Sequence, residues 1–253
     1  MESVKLKIAD NFFFDNAELL LPSIKDAAGN LLESKIIAWL TQTYSLTPKT
    51  HKDKGVTRPG YDAKELNKVL REKMGIIVGV HKETCVNWGA LLSKGQEGFD
   101  FSLFDEAHNI IKLRNAFVGN PGRYDGEKLL ESINKRVPKP DGNTYKKREW
   151  LDKIASLGGT LGQNISSQKD RYTTVGEIQF GNWALAEHDL LRLMSSAVDG
   201  EIDYYIYITA TGELEKKLSK GIVTFSKVVN LFKNNKQLFR TPVWVIGIDI
   251  DNE

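Results

Sequence analysis

Apolar positions in the first 150 residues recur mainly at the three- and four-residue spacing of amphipathic helices, so this part of the chain is predicted to be largely helical. Gly and Pro interrupt the pattern, and polar residues cluster around them, as is typical of loops. Helices are predicted over 31–46, 63–75 and 102–117, and loops over 51–63 and 120–128.

The last hundred residues have a different pattern, in which continuous β-prone runs alternate with helical segments. Strands are predicted to end in VGEIQFG (175–181) and to span 203–210 and 243–250, with a helix over 183–197 and a helical or mixed segment over 222–232. Runs that are apolar at every position suit strands buried on both faces. We therefore expect an α/β fold in which a central mixed β-sheet is flanked by helices.

Composition adds few constraints. The 253 residues are 41% hydrophobic and 27% charged with a net charge of +2, which is ordinary for a globular protein and does not by itself indicate a nucleic-acid-binding surface. A single cysteine, Cys85, excludes an intrachain disulfide, and the four histidines show no metal-ligand spacing. No run approaches the ~20 apolar residues that cross a bilayer, so we expect a cytoplasmic protein without membrane contact.

The stretch VGEIQFGN places a carboxylate and an amide two residues apart inside an apolar run. Residues i and i+2 of a strand project from the same face, ~7 Å apart, so Glu177 and Gln179 lie together while Ile178 and Phe180 face a core. Either Glu177 points to solvent from a half-exposed strand, or it points into a site. In a site, the carboxylate is a hard oxygen ligand for Mg²⁺, and the amide can orient a water or contact a phosphate.

One carboxylate supplies few of the ligands that a magnesium ion needs, so a second acid is needed. The nearest upstream acid is Asp170, but a fully extended chain would separate it from Glu177 by ~23 Å. A bend over 171–174 would be required, and this sequence is β-prone rather than turn-forming. A solvated loop acid is the alternative interpretation of Asp170, and Asp125 and Asp152 are the next candidates.

The segment VGEIQFGNWALAEHDLLRL, with DYYIYITA and TPVWVIGIDI after it, resembles the catalytic core of PD-(D/E)xK nucleases. More narrowly it is similar to type II restriction endonucleases of the BglII type, in which glutamine replaces the usual lysine of the motif. This resemblance implies a restriction-endonuclease-like fold, a magnesium cofactor bound by Asp170 and Glu177, and a catalytic set of Asp170, Glu177 and Gln179. It covers about 150–250, so we expect a single domain, 1–253, with a helical N-terminal part over about 1–149 and the nuclease-like core over about 150–253.

Several polar residues are candidates for DNA contact, since Lys and Arg neutralise phosphates. The densest basic segment, 135–150, is by default a solvated loop, and so is 51–58. Asn182 is a candidate as well, although capping of the helix that begins at Trp183 is the favoured interpretation of this residue. Arg192, on that helix, is predicted to be a surface charge. The complete DNA-binding set is Lys52, Lys54, Arg58, Lys139, Lys146, Lys147, Arg148 and Asn182.

These observations together predict a magnesium-dependent type II restriction enzyme that hydrolyses double-stranded DNA at a specific sequence. A homodimer is expected if the target is palindromic, and a companion DNA methyltransferase is a possible partner. Two alternatives stay open: a structure-specific or repair nuclease with the same core, and a non-catalytic DNA-binding protein with a nuclease-like core.

Overall fold

A mixed eight-stranded β-sheet organises the protein. The computed structural model describes residues 1–53, 55–87, 89–93, 98–120, 156–160 and 162–252. The strands in this part of the chain are β1 (Glu2–Phe14), β2 (Thr43–Leu46), β3 (Pro48–Asp53), β4 (Val56–Tyr61), β5 (His81–Asn87), β6 (Ala90–Ser93), β7 (Phe99–Leu103), β8 (Thr174–Ile178), β9 (Tyr204–Ala210) and β10 (Val243–Ile250).

The large sheet has the strand order β2-β1-β10-β9-β8-β7-β5-β6, and β3 and β4 form a separate hairpin. Strands β8, β9 and β10 run parallel to one another, whereas β1 and β7 pair antiparallel with β10 and β8. Parallel neighbours need crossover connections, and the intervening helices supply them.

Helices cover both faces of the sheet. They are α1 (Ala17–Leu20), α2 (Leu32–Leu40), α3 (Ala63–Lys73), α4 (Glu106–Val118), α5 (Ala184–Ala197), α6 (Gly212–Lys217) and α7 (Phe225–Asn234). On one face, Tyr204, Ile206 and Ile208 of β9 pack in the same core as α2 and α3. On the other face, Tyr205 and Tyr207 pack with α5 and α7. This alternation confirms the predicted α/β class with a mixed sheet between helices.

The predicted elements of the C-terminal hundred residues are confirmed. The strands at 174–178, 204–210 and 243–250 and the helix at 184–197 lie where the apolar runs predicted them. Within the mixed segment 222–232, the helix begins at Phe225.

The predicted helical character of the N-terminal part is not confirmed. Helices α3 and α4 are present near their predicted positions, but the predicted helix 31–46 ends at Leu40 and is followed by β2. The predicted loop 51–63 contains most of the β3–β4 hairpin, and 2–14 form the long strand β1. In β1 the buried Val4 and Leu6 alternate with lysines, which is the two-residue period of a strand with one buried face.

Strands from before and after residue 150 share one sheet: β10, β9 and β8 form its centre, and they are flanked by β1 and β2 on one side and by β7, β5 and β6 on the other. The division into a part over 1–149 and a core over 150–253 stays a prediction. Among the described residues, no helix has the length and apolar character needed to cross a bilayer.

Candidate active site

Two neighbouring strands bring two carboxylates together. The antiparallel register of β7 and β8 pairs Phe101 with Gly176, which places Asp100 beside Glu177 on the same face of the sheet. The backbone N–H of Ile178 donates to Asp100 Oδ2 at 2.7 Å and fixes this carboxylate against β8. A Cβ at Gly176 would lie 2.2 Å from the Phe101 ring, so the absence of a side chain there lets the two strands pair with Phe101 in the core.

Glu177 is buried, with 3% of its surface exposed. The guanidinium of Arg192 on α5 donates to its Oε1. Burial raises the pKa of Glu177 well above its ordinary value, and the nearby Asp100 and Asp189 add to the rise, while Arg192 opposes it. The sequence-based prediction that Arg192 is a surface charge is therefore wrong. Helical periodicity places Arg192 on a polar face of α5, but it does not show that Glu177 of β8 packs against that face.

Arg71 bridges Asp100 and a second carboxylate. Arg71 on α3 donates through one nitrogen to Asp100 and through the other to Glu83 of β5. Burial raises the pKa of Asp100 to about 6, against the opposing effect of Arg71. The pKa values of Asp100 and Glu177 are therefore both raised, although each carboxylate has an arginine as its ion-pair partner, because the two share one buried site.

Gln179 follows at the end of β8, as the same-face rule predicts. Its Oε1 accepts from the backbone N–H of Gly181 at 2.9 Å, and its Nε2 lies 3.5 Å from Asp189 Oδ2. Asp189 also accepts from the Tyr207 hydroxyl at 3.0 Å, and burial raises the pKa of its carboxyl. These contacts fix the orientation of the Gln179 amide beside Glu177.

The four carboxylates, the two arginines and Gln179 line one cleft between α3 and α5, with a volume of about 970 Å³. The cleft is lined by both charged and apolar groups. Its lining residues are Asn67, Arg71, Glu83, Gly98, Asp100, Glu177, Ile178, Gln179, Leu185, His188, Asp189, Leu191, Arg192 and Ser195.

Asp170 lies elsewhere. It precedes the first residue of β8, whereas Glu177 is near the last, so the length of the strand separates them. Its backbone N–H donates to Asp105, the N-cap residue of α4, and its side chain lines a different recess with Lys169 and Arg171. The structure therefore does not bring Asp170 to Glu177 and Gln179; it brings Asp100.

Sequence reasoning missed Asp100 because no strand was predicted for FDFSL (99–103), which overlaps the predicted helix 102–117, and because Asp100 lies far from Glu177 along the chain. A signal was present: an acidic residue in an apolar, β-prone run needs a compensating partner, as does Glu177.

The DNA-binding candidates have varied positions. Lys52 is exposed on the β3–β4 hairpin, while the guanidinium of Arg58 donates to the carbonyls of Lys216 and Leu218 and so anchors the hairpin to α6. Asn182 is exposed and precedes the N-cap residue Trp183 of α5, and its Oδ1 accepts from the backbone N–H of Ala184 at 3.2 Å. Other candidates and fallback acids lie outside the described residues: Lys54, Asp125, Lys139, Lys146, Lys147, Arg148 and Asp152.

The cleft carries an excess of negative charge. Four carboxylates (Glu83, Asp100, Glu177 and Asp189) face two guanidiniums, which leaves two negative charges when all are ionised. Within the described ranges, no three His, Cys, Asp or Glu side chains are arranged to hold a metal ion, and Asp100 and Glu177 are paired with Arg71 and Arg192. The carboxylate and amide oxygens are nevertheless the hard donors that suit a divalent cation such as Mg²⁺.

Comparison with known proteins gives one family match. Residues 128–248 match the family model described as restriction endonuclease BglII/BglIII. The matched region contains Glu177, Gln179, Asp189 and Arg192, whereas Asp100 lies before it.

Among solved structures, the chain is similar to a crystal structure of restriction endonuclease BglII complexed with a DNA 16-mer, with 15% sequence identity and a TM-score of 0.45. That similarity covers 98% of this chain and 80% of the other. No curated protein matches the sequence. The family match over 128–248 confirms the enzyme class predicted from the sequence, a site-specific DNA endonuclease.

Proposed function

We propose that this protein is a magnesium-dependent type II restriction endonuclease that hydrolyses phosphodiester bonds of double-stranded DNA at a short specific sequence. The observation that carries the proposal is the placement of Glu177 and Asp100 side by side, next to Gln179, at one open cleft. Divalent cations serve this family generally; the choice of Mg²⁺ rests on the all-oxygen donor set.

The residues present fit a divalent cation. The excess of two negative charges in the cleft would be balanced by a doubly charged ion. Asn67 Oδ1, from α3, is buried and has no hydrogen-bond partner in the structure, and an amide oxygen is a further hard donor at the same cleft. We propose that Glu177 and Asp100 hold the ion, with Asp100 in the role that the sequence suggested for Asp170.

When bound, the cation supplies Lewis-acid polarisation of the phosphate and lowers the pKa of a coordinated water. The chain's own groups supply position. Gln179, held by Gly181 and near Asp189, orients the water but does not accept its proton, because an amide does not titrate near neutral pH. Arg192 and Arg71 donate to the two carboxylates and oppose the rise in their pKa that burial causes.

DNA is held by positive groups outside the cleft. Lys52 is exposed on the β3–β4 hairpin and is our candidate for a phosphate contact. The hydrogen bonds of Arg58 to Lys216 and Leu218 anchor the hairpin and so hold Lys52 in place. A palindromic target would require a homodimer, since two-fold DNA symmetry is matched by two-fold protein symmetry. A methyltransferase of the same specificity would then protect the DNA of the host cell.

The test is a digest of phage DNA of known sequence with purified protein and Mg²⁺. Discrete bands that disappear with EDTA and with Glu177→Gln are expected. Cleavage restricted to branched or damaged DNA would instead support a structure-specific nuclease, and gel retardation without any cleavage would support a DNA-binding protein. Either result would overturn the proposal.

A further inference from the structure

Two residues on one face of α5 are coupled at the edge of the cleft. His188 and Arg192 are four positions apart, so they lie one above the other on the helix, and both line the cleft with Glu177. His188 is exposed, whereas only 18% of the side-chain surface of Arg192 is exposed.

Arg192 is held from several sides. Besides its contact with Glu177, its Nη1 donates to the carbonyl of Gly98 at 3.1 Å, and its guanidinium lies over the Phe99 ring at 5.9 Å from the centroid. Its Nη2 lies 3.2 Å from His188 Nδ1. The position of this nitrogen is thus fixed independently of His188.

The contact determines the tautomer of His188. A guanidinium has N–H donors and no acceptor, so His188 Nδ1 has to accept in the 3.2 Å contact. A neutral imidazole has one donor and one acceptor nitrogen, and its proton is then on Nε2. The exposed His188 therefore presents an N–H donor at the cleft instead of a basic lone pair.

A donor at this position has a chemical use. Phosphoryl transfer develops negative charge on the non-bridging phosphate oxygens, and a preorganised donor stabilises that charge. The amide of Gln179, held by Gly181 and near Asp189, is assigned above to orienting the water and not to this charge. We infer that His188, oriented by Arg192, is a catalytic residue that donates its Nε2–H to a non-bridging oxygen of the scissile phosphate.

This inference rests on the proposed function, because it assumes that DNA enters the cleft. The alternative is a purely structural role, in which His188 only helps to hold Arg192, and hence Glu177, in place. The two differ in the nitrogen that matters: a phosphate contact needs Nε2–H, whereas support of Arg192 needs only Nδ1.

The first measurement concerns the tautomer in the DNA-free protein. ¹⁵N NMR of histidine-labelled protein at alkaline pH is expected to show His188 with its proton on Nε2, and Arg192→Gln is expected to shift the ring toward a mixture. A predominant Nδ1–H form in the unsubstituted protein would overturn the inference.

The second measurement is single-turnover cleavage, with DNA affinity measured separately in EDTA. His188→Leu is expected to lower the cleavage rate by about 10- to 100-fold while affinity changes by less than about threefold, since one charge-assisted hydrogen bond is lost mainly in the transition state. His188→Gln, which keeps an N–H near the Nε2 position, is expected to restore most of the rate. Rescue by Gln but not by Asn, whose amide reaches only the Nδ1 position, separates a phosphate contact from support of Arg192.

The control is Glu187→Leu, at an exposed neighbouring position of α5 that does not line the cleft; its rate is expected to match the unsubstituted protein. If His188→Leu cleaves at the full rate, or if Asn rescues as well as Gln, the inference is overturned while the proposed function stands. If the unsubstituted protein cleaves no DNA, the proposed function fails, and the His188 contact fails with it.

Discussion

The guanidinium of Arg192 on α5 donates a hydrogen bond to the buried carboxylate of Glu177 on β8. Both residues come from the same strand–helix unit, so the acid and its counter-charge are placed by one short connection. The pair stabilises Glu177 in its ionised form against the cost of burial, and removing either partner alone has a different consequence from removing both.

Arg192→Gln is expected to lower the free energy of unfolding by about 2–3 kcal/mol at pH 8, because it leaves Glu177 buried without its counter-charge. The double variant Glu177→Gln/Arg192→Gln should recover part of this loss. Urea unfolding of the two single variants and the double variant gives the coupling free energy. Strictly additive effects would show that the pair contributes nothing to stability.

The raised pKa of Asp100 gives the cation-free protein a characteristic pH dependence. The folded state binds this proton more tightly than the unfolded state, whose ordinary pKa is 3.8. The contribution to stability is therefore complete below pH 3.8 and is lost as the pH rises through about 6. It amounts to at most about 3 kcal/mol, at 1.36 kcal/mol for each pKa unit.

Asp100→Asn should make the loss of stability between pH 4 and pH 7 smaller by up to that amount. The check is urea unfolding in EDTA at several pH values, compared with the unsubstituted protein. Parallel pH profiles for the two proteins would contradict a raised pKa at Asp100.

Mg²⁺ should stabilise the protein more at pH 8 than at pH 5.5, because the cation binds the ionised carboxylates and has to displace protons from Asp100 and Glu177 at the lower pH. At 100 times its dissociation constant, a ligand adds about 2.7 kcal/mol. Thermal unfolding with and without Mg²⁺ measures the effect. Glu177→Gln should abolish it, and an equal shift at both pH values would count against these acids as ligands.

Two adjacent tyrosines on one face of β9 offer a matched comparison. The Tyr207 hydroxyl donates to Asp189, whereas the buried Tyr205 hydroxyl has no hydrogen-bond partner in the structure. Tyr207→Phe is expected to cost about 1–2 kcal/mol, since Asp189 loses a donor, and Tyr205→Phe is expected to be neutral or stabilising. Urea unfolding of both variants tests this, and a larger loss for Tyr205→Phe would refute it.

The sequence predicted those parts of the fold whose signals are local. The apolar runs at 204–210 and 243–250 are long and continuous, so their strands were predictable. Glu177 and Gln179 could be placed on one face because the period of a strand is fixed. The hairpin formed by β3 and β4 was not predicted, because its sequence is polar and interrupted by Gly and Pro, while cross-strand pairing and the anchoring by Arg58 determine its structure.

Asp100 and Arg71 could not be assigned to the cleft for a different reason. They come from β7 and α3, and their proximity to Glu177 depends on the pairing of β7 with β8 across a long stretch of intervening chain. Such non-local pairing leaves no spacing in the sequence. Asp170, which is close to Glu177 in sequence, is separated from it by the length of β8.

The most direct test of the central claim compares Asp100→Asn with Asp170→Asn in single-turnover cleavage of a DNA fragment, with Mg²⁺ present and with DNA affinity measured in parallel. We predict that Asp100→Asn lowers the cleavage rate by about 1,000-fold or more with DNA still bound, as expected when a metal-holding carboxylate is lost, and that Asp170→Asn stays within about threefold of the unsubstituted protein. Full activity of Asp100→Asn, or loss of cleavage in Asp170→Asn alone, would contradict a catalytic centre between β7 and β8.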